Sequence, residues 1–252
     1  MSIADKLTQI AENEQKVYEA GYEKGKAEGG DTTEAYEQGV ADGKKAEHDA
    51  FWGDYLNKGN ARQYLYSFAG RCWNDKIFKP KYNIVCAYSC LGMFAYSVIT
   101  DLAKTLNDCG IILDTSGANN LESAFAYAVT KTIPTVNAAN SFSINGIFEN
   151  CSNLESIEKF TVAETQGFTR AFTGCGKLKD IVFDGVIGNS IDMHWSTLLT
   201  RSSIESVINH LSGTATGKTL TLSKTAEESA FDNADEWDAL VATKLNWNIA
   251  LA

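Results

Sequence analysis

Proline is nearly absent from this 252-residue chain, at two residues, and the 20 glycines are an average share, so neither a collagen-like nor a disordered low-complexity chain is indicated. No run approaches the roughly 18 apolar residues that a membrane-spanning helix needs. The opening MSIADKLTQIAENEQ places charges where a signal peptide has its apolar stretch, and the expectation is a chain made and folded in the cytosol. Clustered positive charge is missing too: 22 basic against 32 acidic side chains leave a net charge of −10, and the longest basic run is Lys44-Lys45. Phosphate-rich partners need clustered cations, so neither nucleic acid nor an anionic membrane is expected. The six cysteines, Cys72, Cys86, Cys90, Cys109, Cys151 and Cys175, form no CxxC pair, and thiols of a cytosolic product stay reduced. A structural zinc site wants four Cys/His ligands in two close pairs. Cys86 and Cys90 supply one pair if they lie on a helix, no second pair follows, and no metal or other cofactor is expected.

What is present is an ordinary folded domain with an appendage: 44% of the residues are apolar, enough for a core. Residues 1 to 50 hold 6 Lys/Arg against 12 Asp/Glu and so form a different kind of segment. Ile3, Leu7, Ile10 and Val17 fall at heptad spacing, broken by Glu14. Residues 22 to 35 and 36 to 49 then align at a period of 14, sharing Tyr22/Tyr36, Gly25/Gly39 and Gly29/Gly43. Each glycine costs about 1 kcal/mol of helix propensity, so a lone helix here is marginal in water and becomes plausible by packing against copies of itself. A flexible polar tether is the alternative reading. Residues 1–45 are therefore expected to form a helical stalk or attachment segment. Residues 46–84, rich in Phe, Trp and Tyr, are expected to form a helical cap that closes one end of the following segment.

A short motif then recurs. Residues 148 to 157 read FENCSNLESI and residues 172 to 181 read FTGCGKLKDI, matching at Phe, Cys, Leu and Ile with a period of 24. FAYSVITDL (94 to 102) and FAYAVTKTI (125 to 133) form a second matched pair, so Phe94, Phe125, Phe148 and Phe172 lie 31, 23 and 24 apart. Apolar or small residues precede each Phe at offsets −4 and −1, one face of a helix, which predicts one helical turn per unit. The apolar run after it, such as Ile181-Val182-Phe183, predicts a strand. One turn and one strand every 24 residues is the arithmetic of a leucine-rich-repeat solenoid, whose units bury their apolar face only by stacking. The 31-residue step leaves room for an inserted helix, Asp101 to Cys109, ended by Gly110. The pattern continues with a helix over Ser202 to Leu211 capped by Ser202 or Ser203, a strand at TLTL (219 to 222), helices at Thr225 to Phe231 and Asp235 to Thr243, and a strand at Trp247 to Leu251. The expected fold class is α/β: a short, irregular leucine-rich-repeat domain over residues 85–252.

The F-x-x-C-x-x-L-x-x-I units resemble BspA-type leucine-rich repeats, which occur in bacterial surface proteins and in phage virion proteins. The closing segment from Ser202 onward, with EWDALVATKLNWNIAL, is similar to the C-terminal ends of such proteins in gut-associated phages and prophages. The opening, with its Tyr-x-x-Gly steps, is similar to N-terminal segments of structural phage proteins. The resemblance implies a virion component, made in the host cytoplasm, whose residues 1–45 contact other virion proteins. Its repeat head is implied to bind a host cell-surface protein or glycan. Appendages of these families are commonly trimers, so a homo-oligomer is expected. A capsid or tail decoration protein and a bacterial protein-binding scaffold are the alternatives.

Chemistry leaves few candidates, and no enzyme is expected. Cys175, His194 and Asp192 offer a thiol nucleophile, a base and an orienting acid, but Cys175 occupies the repeat position matched by Cys151, which a buried thiol explains. Asp235/Glu236 and Glu227/Glu228 read as helix-start acids. The stretch Gly213 to Thr219 has GxxxGKT, one residue short of a phosphate loop, and lies after a helix and before a strand, the reverse of the order required. The candidate partner-binding residues are those the repeat leaves variable beside its motif: Asn150, Ser152, Asn153, Gly174 and Lys177.

Overall fold

Phenylalanine sets the spacing of the core. In the computed structural model, which describes residues 68–70, 74–76, 78–80 and 83–252, Phe68, Phe94, Phe125, Phe148 and Phe172 stack in one column with successive ring centroids 4.9, 5.7, 5.7 and 5.6 Å apart. Phe78, Phe160 and Phe183 meet the column from the other side of the core, mostly edge to face, the geometry that aromatic quadrupoles favour. All but Phe68 of these rings are about 1% exposed or less. Phe68 is a further rung, within the segment 46–84 expected to form the cap, and its FAGRCWND shares only the leading Phe-Ala with the FAY pair. The stalk expected at 1–45 and most of the aromatic cap lie outside the described residues. All described residues belong to the compact unit Ala61–Ala252.

Each rung belongs to one coil of a parallel stack. β1 (Ile84–Val85) pairs with β2 (Leu113–Asp114). β3 (Thr132–Ile133) and β4 (Val136–Asn137) both pair with β5 (Ser156–Val162), and β5 pairs with β6 (Asp180–Gly185). Pro134 lies between β3 and β4, where the missing N–H breaks what is otherwise one strand. The β5–β6 register shifts by one residue between Ile157 and Phe160. That shift brings Phe160 opposite Phe183, so the extra residue of β5 is absorbed without displacing the aromatic column. The strand expected at Ile181-Val182-Phe183 is the middle of β6.

The helical turn expected before and around each Phe is instead a wound, non-helical segment. Met93, Ala95 and Ser97 donate their N–H groups three residues back within their own coil, while Gly92, Phe94 and Tyr96 donate to Glu122, Ala124 and Ala126 of the next coil. The coils of Phe125 and Phe148 repeat this alternation. In an α-helix every N–H runs along the axis to the same chain, and none is left to bond a neighbouring coil. The offsets −4, −1 and 0 are shared by both conformations, which is why the apolar spacing read as helix.

The insertion is α1 (Leu102–Asp108). Asp101 caps it by accepting from the Lys104 N–H, and Gly110 at φ +67° closes it, with Gly110 and Ile111 N–H groups reaching back to the Asn107 and Leu106 carbonyls. At the other end of the sheet the stack changes character. α2 (Arg201–Asn209) packs along β6 where another strand would pair. Ser202 or Ser203 had been expected to cap it, but Thr200 is the N-cap residue, with no side-chain cap bond, and Ser203 and Ser206 serve the strand instead. The hydroxyls of both serines accept hydrogen bonds from β6, from the Ile181 and Phe183 N–H groups at 2.9 Å. β7 (Ile191–Asp192), β8 (Lys218–Leu222) and β9 (Trp247–Leu251) form a third parallel sheet, after that of β1 and β2 and that of β3 to β6. α3 (Lys224–Ala230) and α4 (Ala234–Val241) connect β8 to β9. Arg201 binds Glu205 and Glu236 and sits 5.0 Å from the Phe231 ring, which joins α2 to the end of α3 and to α4.

Candidate functional site

The wound segments bring one position of every coil to a common row. Two residues before each Phe and two after it, φ is positive: Gly92 and Tyr96, Ser123 and Tyr127, Gly146 and Asn150, Arg170 and Gly174. The later member of each pair, together with Gly70 (φ +95°) two residues after Phe68, forms the row Gly70, Tyr96, Tyr127, Asn150, Gly174. Backbone bonds from Gly70 to Ala95, Tyr96 to Ala126, Tyr127 to Glu149 and Asn150 to Thr173 keep it in register.

Four of the five expected contact residues make pairwise contacts across neighbouring coils. Lys177 Nζ donates to Asn153 Oδ1 at 2.8 Å. Asn150 lies so close to Gly174 that a Cβ there would stand 2.4 Å from Asn150 Oδ1. Ser152 is exposed beside them, its N–H bonded to the Asn150 carbonyl. Asn150 and Gly174 thus have conformational reasons for their identity, since Gly and Asn are the residues that tolerate the left-handed region best.

Tyr96 and Tyr127 were missed by the sequence reading. They sit at φ +60°, where a bulky side chain costs on the order of 1–3 kcal/mol. They are 54% and 42% exposed, and their rings stack with centroids 4.6 Å apart and planes 7° from parallel. The signal was in the matched FAY triplets of residues 94 to 96 and 125 to 127, where Tyr repeats at the same offset. Nearby, Glu149 pairs with Arg170 at 3.5 Å. On the strand side, Lys159 and the Thr161 hydroxyl beside Asp184 hold its carboxyl below the usual carboxylate range.

The interior offers no nucleophile at the repeat cysteines. Cys151 and Cys175 are fully buried, and their thiols donate to the Phe125 and Phe148 carbonyls of the preceding coils at 2.9 and 3.0 Å. Burial raises the Cys151 thiol well above its ordinary value and pushes Cys175 up to about 12, so neither is a thiolate near neutral pH. His194 does bond Asp192, Nδ1 to Oδ1 at 2.6 Å, but Cys175 is engaged elsewhere, and the imagined triad is not assembled. Cys86 and Cys90 are buried on non-helical backbone rather than on the helix expected of a ligand pair. In the GxxxGKT stretch, Lys218 Nζ donates to Asn189 Oδ1 and the Thr214 hydroxyl to Glu164, which also accepts from the hydroxyl of Ser212 just before the stretch. A carboxylate there opposes an anion. Glu227, Asp235 and Glu236 lie in first turns of α3 and α4, as helix-start acids do.

No protein-family model matches the chain, and neither a curated protein nor a solved structure does.

Proposed function

We propose that the chain is a non-enzymatic virion component of a phage, with a leucine-rich-repeat-like head that binds a molecule of the bacterial surface. The observation that carries this reading is the pair of exposed rings, Tyr96 and Tyr127, with half-buried Asn150 after them, that the coil stack holds in register at the strained end of each wound segment. A scaffold that spends backbone strain to expose large rings has a use for them outside its own core. Supporting it are the resemblance of the repeat units and of both chain ends to phage and bacterial surface proteins, and the committed state of the interior thiols. Residues 1–45 serve as the attachment to other virion proteins, and a homo-oligomer, with three copies favoured, raises the avidity of individually weak contacts.

The test is direct. Fluorescently labelled full chain is incubated with a panel of bacterial strains, and antibodies against it are applied to phage particles produced from the same strains. Saturable labelling of a subset of strains and decoration of the particles are expected. Particle decoration without binding to any strain would leave a capsid or tail decoration protein. Labelling of the cytosol of uninfected cells would leave a bacterial scaffold.

A further inference from the structure

We propose that the stacked pair Tyr96 and Tyr127 is a platform for the ring faces of an uncharged oligosaccharide, with Asn150 beside it as the hydrogen-bonding group. The inference rests on the receptor-binding reading and names the chemistry of the ligand.

Three observations on the same row converge. First, the position has an easy solution and these two coils do not use it: the row holds Gly70, Asn150 and Gly174 in the same left-handed conformation in which Tyr96 and Tyr127 stand at φ +60°. Second, the rings are not spent on the core. They are 54% and 42% exposed, they touch each other, and their hydroxyls have no hydrogen-bond partner among the described residues. Third, the neighbours on the row leave the stack open. Gly70 presents no side chain toward the outer face of Tyr96, and Asn150, the half-buried member of the row next to Tyr127, holds its amide oxygen over Gly174. A tyrosine ring offers an apolar face with a polar tip at low conformational cost, which suits the C–H face of a pyranose whose hydroxyls bond the tyrosyl and asparagine groups.

The occupant follows from size and charge. Two half-exposed rings present far less than the roughly 800 Å² per partner that a stable protein interface buries, so the fit is to a narrow ligand. The two rings cover each other's inner faces, so the face offered to a pyranose is the outer face of Tyr96, where the neighbouring coil carries only Gly70. The chain's net charge of −10 disfavours acidic polysaccharides, which leaves neutral sugars.

The experiment uses the full chain and its Tyr96→Asn, Tyr127→Asn and double variants. Asparagine is the residue that the next coil already carries at φ +57°, so backbone conformation is preserved, and circular dichroism and thermal unfolding check it. Binding is read on an array of neutral and anionic oligosaccharides and on the labelled strains, before and after periodate oxidation of their surface glycans. Expected are binding to at least one neutral oligosaccharide, a loss of about tenfold for each single variant, no detectable binding by the double variant, and loss of cell labelling after periodate. Binding confined to anionic glycans, an array signal unchanged in the double variant, or cell labelling that survives periodate would overturn the proposal. In the last case the receptor reading stands, with a protein as partner. Failure to label any strain would instead overturn the receptor reading, and a neutral-glycan signal on the array that the double variant lacks would still uphold the platform.

Discussion

A Cβ at residue 185 would lie 2.1 Å from the Val162 carbonyl oxygen, and Gly185 is held at φ +85°. Gly110, at φ +67°, has nothing within 4 Å of the same construction. Gly185→Ala is therefore expected to cost roughly 2 kcal/mol or more in urea unfolding, because backbone rather than a side-chain tip must move. Gly110→Asn should stay within about 0.5 kcal/mol, since only conformation is at issue and asparagine accepts it. The repeat thiols make a second residue-scale prediction. Cys151 and Cys175 have folded values raised above the ordinary thiol value of 9.0, so the unfolded chain loses these protons first. Their stabilising contribution is complete below about pH 9 and is lost as pH climbs toward 12. Unfolding midpoints across pH 8 to 11 should fall, and Cys175→Ala should flatten that fall by its own share. The candidate contact residues Asn150, Ser152, Asn153, Gly174 and Lys177 were singled out because they flank a visible motif. Tyr96 and Tyr127 were not, because an aromatic residue within a repeat reads as core until φ and exposure are known.

At the scale of elements, the edge of β6 is where the stack is most exposed to error. An unpaired parallel edge invites pairing with another chain, and here α2 covers it with two hydroxyls in place of a strand. Ser203→Ala leaves the Ile181 N–H without its acceptor at a position 2% exposed, and the expected cost is about 1–3 kcal/mol. Ser206→Ala should cost less, since Ser206 is only half-buried and water can replace it. Chemical denaturation of both variants checks the order. The helices and strands from residue 201 onward were readable to within a residue or two, because their apolar periods differ: 3.6 in α2, two in β8. The wound segments were not readable as such, because a helical turn and a turn with two left-handed residues place the same offsets on the inner face. Ser203 shows the same limit. Serine at the start of an amphipathic helix reads as a cap, and its use as an acceptor for a strand depends on what packs beside it.

For the whole molecule, stacking makes stability a nearest-neighbour property. Phe148, which touches Phe125, Phe160 and Phe172, ties the coils on both sides of it. The proposed stalk acts at the same scale: light scattering of the full chain should give a multimer, and a chain starting at residue 46 should give a monomer, whereas equal masses would remove residues 1–45 from the assembly. The sequence by itself determined the repeat period, four of the five phenylalanines of the column, the place of the inserted helix and the acidic balance of the chain. Those are properties of spacing and composition, and they survive being read one residue at a time. Only the tertiary structure decided that alternate N–H groups cross between coils, that residues two beyond each Phe of the column adopt the left-handed region, and that exposed Tyr96 and Tyr127 come to one row with half-buried Asn150. The physical reason is that side chains 23 to 31 residues apart become neighbours only when the coils close, and which of them face water is settled by hydrogen bonds made to the next coil.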